Sequence, residues 1–211
     1  MRLPKRLVVG IAFGCVGAIL LPVLAYSHHR QTADRVSSDD EGYEVYSAAI
    51  KELFLDKPGF PGRVLVIEDH TTPYFEGPDG EAEPAKRTAG WANMGLTVSN
   101  RMVEDFKLKS KQSISLEPRF TLPVKQVLIS EWELKHYFGE GGDWWTAFYR
   151  RHPNSIGYVR LSRVGFNPEH DRALLYADLS CGILCGEGYY VLVAKNGRAW
   201  SVVYTDGLWV S

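Results

Sequence analysis

Residues 158–204 read YVRLSRVGFNPEHDRALLYADLSCGILCGEGYYVLVAKNGRAWSVVY. Four stretches in it, Tyr158–Phe166, Arg172–Leu179, Tyr189–Lys195 and Arg198–Tyr204, are rich in β-branched and aromatic residues. Such residues suit a pleated, half-buried surface. The separators are Asn167-Pro168-Glu169-His170-Asp171, a Gly/Cys segment and Asn196-Gly197, the last a strong short hairpin signal. Connections this short force antiparallel neighbours, so the stretch predicts a four-stranded antiparallel β-meander. A meander with one apolar face needs a cover, and the upstream helices are the candidates. The expected class is α+β, with the meander at the C-terminal end covered by N-terminal helices.

Working outward, Ser38-Asp39-Asp40-Glu41 has capping-box form and precedes apolar residues at helical spacing, Tyr43, Tyr46, Ala49 or Ile50, Leu53 and Phe54. Arg63–Glu68 (RVLVIE) and Lys125–Ile129 (KQVLI) read as short strands. Between them, 71–90 carries Pro73, Gly77, Pro78, Gly80, Pro84 and Gly90 without periodicity and reads as a long loop. Ser99–Lys109 returns to helix, with Met102, Val103 and Phe106 on one face. Ser130-Glu131-Trp132-Glu133 is a second capping box, whose helix ends at Gly139–Gly142, and Asp143 caps Trp144–Arg151.

The chain has 211 residues with a formal charge of -1 and a pI near 6.6. That balance offers no electrostatic case for nucleic acid as a partner. At the start, Arg2, Lys5 and Arg6 precede an uncharged apolar run from Leu7 to Ala25. Positive charge before such a run directs the following chain out of the cytoplasm. Two outcomes stay open for residues 1–25. Pro22 and Val23-Leu24-Ala25 suit a cleaved signal peptide, and 7–25 is long enough for a membrane anchor. Either way the expected location is extracytoplasmic (periplasmic, secreted or anchored by residues 7–25), with contact to a membrane only through that segment if it stays uncleaved. Residues 26–37 read as a polar tether and 38–211 as a single domain.

Cys181 and Cys185 are the only cysteines after residue 25. An even pair in an exported chain reads first as a disulfide across a glycine-rich loop. The redox alternative has three intervening residues instead of the usual two, and a zinc site lacks a second ligand pair. Two packed free thiols remain the plain alternative. Gly186-Glu187-Gly188 leads into a strand and not a helix, so it is no phosphate loop; its glycines suggest a tight turn with positive φ. No metal or cofactor motif is present in the chain.

Gly165-Phe166-Asn167, Cys181-Gly182, Cys185-Gly186 and Gly188-Tyr189, with the preceding WWTAFYRRHPNSIGYVRLSRVGFN, resemble an uncharacterised family of exported bacterial proteins. The resemblance covers about a third of the chain. It implies export and a shared fold, and it carries no catalytic residue.

Two functions compete. The leading one is a non-enzymatic binding or envelope-interaction module. The alternative is an extracytoplasmic hydrolase with its site near Glu68 and His70, under the 71–90 segment, where a strand end presents side chains to a cleft. Adjacent residues alternate faces, so Glu68, Asp69 and His70 converge only if the strand stops there. Trp144, Trp145, Phe148 and Tyr149 crowd one short helix and read mainly as packing between sheet and loop. Arg160 and Arg163 point to opposite faces and form no clamp. His152 and His170 read as surface residues. No catalytic residue is assigned by any motif.

Overall fold

The computed structural model describes residues 40–56, 64–138 and 144–211. The export segment 1–25, the tether 26–37, the Ser38 cap and the 139–143 helix boundary lie outside the described residues. Glu41–Ser211 forms one compact unit.

The unit is α+β, built on one mixed sheet of seven strands. Helix α1 spans residues 40–50 and widens into a π-turn at Lys51–Leu55. Strand β1 follows (Val64–Glu68), then α2 (Pro84–Trp91), α3 (Asn100–Lys109), β2 (Lys125–Ile129), α4 (Glu131–Phe138) and α5 (Trp144–Arg151). The last third supplies β3 (Ser155–Leu161), β4 (Gly165–Phe166), β5 (Arg172–Gly182), β6 (Cys185–Asn196) and β7 (Ala199–Val210).

The strand order is β2-β1-β3-β5-β6-β7, with β4 also paired to β5. β3 to β7 pair antiparallel, but β1 joins β3 in parallel and β2 joins β1 in parallel. The sheet is therefore wider than a four-stranded meander, and its KQVLI edge is parallel. Parallel strands need long crossovers. Here the chain between β1 and β2 carries α2 and α3, and that between β2 and β3 carries α4 and α5.

Several local expectations shift. The run Tyr158–Phe166 breaks at Ser162, whose hydroxyl accepts from the Tyr176 N–H, so β3 and β4 are separate strands. Helix α2 forms inside the proline-rich 71–90 segment. Pro84 occupies its first position, where no N–H is needed, and the Glu83 carboxylate accepts from the Lys86 N–H. The capping box at Ser130 forms reciprocally with Glu133. Ser99 caps α3 by accepting from Met102.

Both sheet faces are covered. Alternation along each strand sends Leu65, Ile67, Val159, Leu161, Leu175 and Val191 to one face, under Tyr46, Ile50 and Phe54 of the α1 segment. The opposite face divides in two. Leu174, Tyr176, Tyr190 and Leu192 pack under Trp91, Met102 and Phe106 of α2 and α3. Val66 and Ile129 pack under Leu134 of α4 and Phe148 of α5. The cover is thus helical, as expected, but it lies on both faces and includes helices well inside the chain.

Cys181 and Cys185 form a disulfide, with Cα atoms 5.0 Å apart. β5 runs on to Gly182 and β6 restarts at Cys185, so the bond ties a tight hairpin tip and not a long loop. Gly186 and Gly188 lie in β6 with ordinary strand φ. A Cβ on Gly188 would fall 2.1 Å from Nε1 of Trp209, so the glycine makes room for that indole. Close approach, and not positive φ, is the reason for glycine there.

Candidate functional site

Open α/β sheets form ligand crevices beyond the carboxyl ends of their parallel strands. Here β1 has a parallel neighbour on each side, and its last residue, Glu68, pairs with Ile129 at the end of β2. Beyond these ends lie two adjoining clefts. One has a volume of about 570 Å³ and is lined by Glu68, Asp69, His70, Thr72, Ser130 and Trp132, among others. The second, about 380 Å³, is lined by Leu134, Lys135, Phe138, Tyr158 and Arg160. Glu68, Thr72 and Glu131 belong to both.

β1 ends at Glu68 and the chain bends at Asp69. That bend is the condition under which neighbouring side chains can converge. The Asp69 N–H donates to Ile129 O, and its own carbonyl accepts from Leu116 N–H. Thr71 N–H in turn donates to Ile114 O. These two bonds flank an antiparallel bridge between His70 and Ser115. His70 and Ser115 are therefore a non-hydrogen-bonded pair, the kind whose side chains come closest. The Ser115 hydroxyl lies 2.9 Å from His70 Nε2, and His70 Nδ1 lies 2.6 Å from Asp69 Oδ1. Ser115 carries no signal in the sequence, because the contact spans 45 residues.

The second cleft rests on a buried ion pair. Arg160 on β3 donates from Nε to Asp178 Oδ1 on β5 at 2.9 Å, and Arg160 pairs with Asp178 in strand register. Asp178 is fully buried, whereas the Arg160 side chain keeps 35% of its surface exposed. Burial raises the Asp178 pKa; Arg160 and the Tyr176 hydroxyl oppose the rise without cancelling it. Arg160 is held firmly cationic, the favourable interaction with Asp178 outweighing burial. Tyr176 accepts from Trp209 Nε1 at 2.9 Å, so a polar chain runs from β7 through β5 to the cleft wall. Glu68 also titrates upward, mainly through burial, with Arg160 pulling against it and the carboxylates of Glu131, Asp178 and Asp69 adding to it.

The aromatic helix α5 lines neither cleft and packs behind Phe138 and Tyr158 of the second. Phe148 is buried, Trp145 stacks on Tyr158 with ring centres 6.0 Å apart, and Trp144 remains exposed. This is mainly packing, as the crowding on one short helix suggested. Arg163 falls between β3 and β4 and lines neither cleft. His170 sits at the surface, paired with Glu41 at 2.7 Å. His152, expected at the surface, is buried, its ring 5.0 Å from that of Phe148. Burial lowers its pKa and favours the neutral ring.

Among the described residues, no group of three His, Cys, Asp or Glu side chains is placed to hold a metal ion. No described helix is long and apolar enough to cross a membrane.

Comparison with protein-family profiles, with curated proteins and with solved structures finds no match for the chain. The fold and the clefts define an α+β domain with a mixed sheet and a polar, aromatic-walled crevice at its parallel end.

Proposed function

We propose that the chain is an extracytoplasmic binding module that takes a small polar ligand in the paired clefts beyond β1 and β2. The observation that carries this is the sharing of Glu68, Thr72 and Glu131 between two clefts whose other walls bring Trp132, Phe138, Tyr158 and Arg160 together. Concave sites with aromatic walls and a few convergent polar groups are where small molecules bind. Two features support the location. Arg2, Lys5 and Arg6 precede the apolar 7–25 segment, and a Cys181–Cys185 disulfide suits an oxidising compartment. On this reading the chain belongs with the uncharacterised exported proteins that its GFN and CGxxCGxGYY segments resemble.

Isothermal titration of the protein purified from the cell envelope tests this, using panels of monosaccharides, amino acids and small dicarboxylates. The expected result is saturable binding of one class, weakened at least tenfold by Tyr158→Ala. No heat at millimolar ligand from any panel overturns the reading.

A second reading, the hydrolase, is favoured by one observation: Glu68, Asp69 and His70 do line a common cleft. The raised Glu68 pKa suits a carboxyl that holds a proton for transfer.

A further inference from the structure

We infer that Ser115 is a nucleophile activated by His70 and oriented through Asp69, and that this site hydrolyses carboxylic esters with small acyl groups. The inference rests on the hydrolase reading and deepens it by naming the attacking atom and the bond it breaks.

The proton positions follow from donor and acceptor chemistry. An ionised carboxylate can only accept, so the 2.6 Å contact with Asp69 Oδ1 puts the imidazole proton on Nδ1. Nε2 then carries the lone pair, and at 2.9 Å it accepts from the Ser115 hydroxyl. Nucleophile to base, and base to orienting carboxylate, is the geometry by which such a site is recognised whatever the residue order. The backbone fixes the arrangement. Thr71 N–H to Ile114 O and Leu116 N–H to Asp69 O clamp the two segments on either side of the pair. Those bonds leave the Ser115 N–H outside the bridge, available to a developing oxyanion. His70 and Ser113 line the larger cleft, and Ser115 stands two residues beyond Ser113 at the cleft's edge, so an acyl group has a place to lie beside it.

The reaction balances with water alone. Ser115 Oγ attacks the ester carbonyl carbon as its proton passes to His70 Nε2. The carbonyl–alkoxy bond breaks, and the leaving oxygen takes that proton and departs as the alcohol. Water then gives a proton to the same nitrogen and attacks the acyl-serine. The carboxylic acid leaves and the proton returns to Ser115. Asp69 touches neither substrate nor reacting atoms and is a positioning residue.

The test treats the folded full chain with a fluorophosphonate probe, which phosphonylates an activated serine with loss of fluoride, and maps the adduct by peptide mass spectrometry. Hydrolysis of 4-methylumbelliferyl acetate is followed in parallel. The expected result is an adduct on Ser115, absent in Ser115→Ala and slowed about 100-fold or more in His70→Ala, the scale of a lost general base. Ser115 is exposed, so its alanine variant keeps the fold, which thermal melting verifies. Asp69→Asn should slow labelling about tenfold or more with an unchanged thermal melt, and the conservative Asp69→Glu should restore the rate; an unslowed Asp69→Asn removes Asp69 from the scheme. No adduct on Ser115, or one that forms equally without His70, overturns the proposal. If ester hydrolysis then persists and is lost in Glu68→Gln, the hydrolase reading stands without a serine nucleophile. If hydrolysis is absent too, both fall.

Discussion

Replacing Arg160 by methionine would leave the Asp178 carboxylate in the sheet without its cation. Asp178 is fully buried, and its Oδ2 has no hydrogen-bond partner of good geometry, so the nearby Tyr176 hydroxyl alone remains to offset the charge. Breaking a buried pair from one side typically costs about 3–5 kcal/mol. The guanidinium retains contact with water in the cleft, which places this case toward the lower end, about 3 kcal/mol at pH 7. The loss should depend on pH in a definite sense. Asp178 has a folded-state pKa above its unfolded value of 3.8 even with Arg160 present, so the folded state binds its proton more tightly. Stability from that difference is present at low pH and is lost as pH rises through the folded pKa. Without Arg160 the folded pKa rises further, and the penalty at pH 7 should shrink progressively toward pH 4.5. Urea denaturation at both pH values, on wild type, Arg160→Met, Asp178→Asn and the double variant, measures this. The double variant should recover most of the loss, since no buried charge remains. A loss below about 1 kcal/mol at pH 7, or one equal at both pH values, would refute the account of the pair.

Two further outcomes concern packing and cross-linking. A Cβ on Gly165 would lie 2.4 Å from Phe106 Cβ and 2.5 Å from its Cα and N, so Gly165→Ala must push α3 away from β4. A destabilisation of about 1–3 kcal/mol is expected in urea, and a neutral variant would show that α3 does not press on the sheet there. The Cys181–Cys185 ring closes five residues, which by chain entropy contributes about 2 kcal/mol. Ile183 and Leu184 at its tip are 73% and 86% exposed and add nothing to that figure, while Cys181 itself packs against the edge of the core. Replacing both cysteines by serine should therefore lower stability by about 2 kcal/mol and leave the fold intact. Equal urea midpoints for the variant and for unreduced wild type would falsify the estimate.

Local pattern sufficed wherever a structural cause spans few residues. The capping box at Ser130 and Glu133, the cap at Ser99, the helix over Met102, Val103 and Phe106, and the strands Val64–Glu68 and Lys125–Ile129 all lie in their own neighbourhoods. The disulfide pairing needed only a count of cysteines and an assumed compartment. Helix α2 escaped notice because proline and glycine density hides a helix whose proline stands at its first position. The burial of His152 escaped because its cover, Phe148 and Tyr137, comes from two helices. Glu68 and His70 were legible as candidates, since a strand end needs no partner to be recognised. Ser115, Arg160 with Asp178, and Tyr176 with Trp209 were not. What the sequence alone determined is the α+β class, the antiparallel tendency of the last third and the chemistry of the cysteine pair. Only the tertiary structure decided that β1 and β2 add a parallel end to the sheet, with a crevice beyond it. Strand order and the contacts between distant segments depend on which faces are buried together, and burial is a property of the whole packed chain.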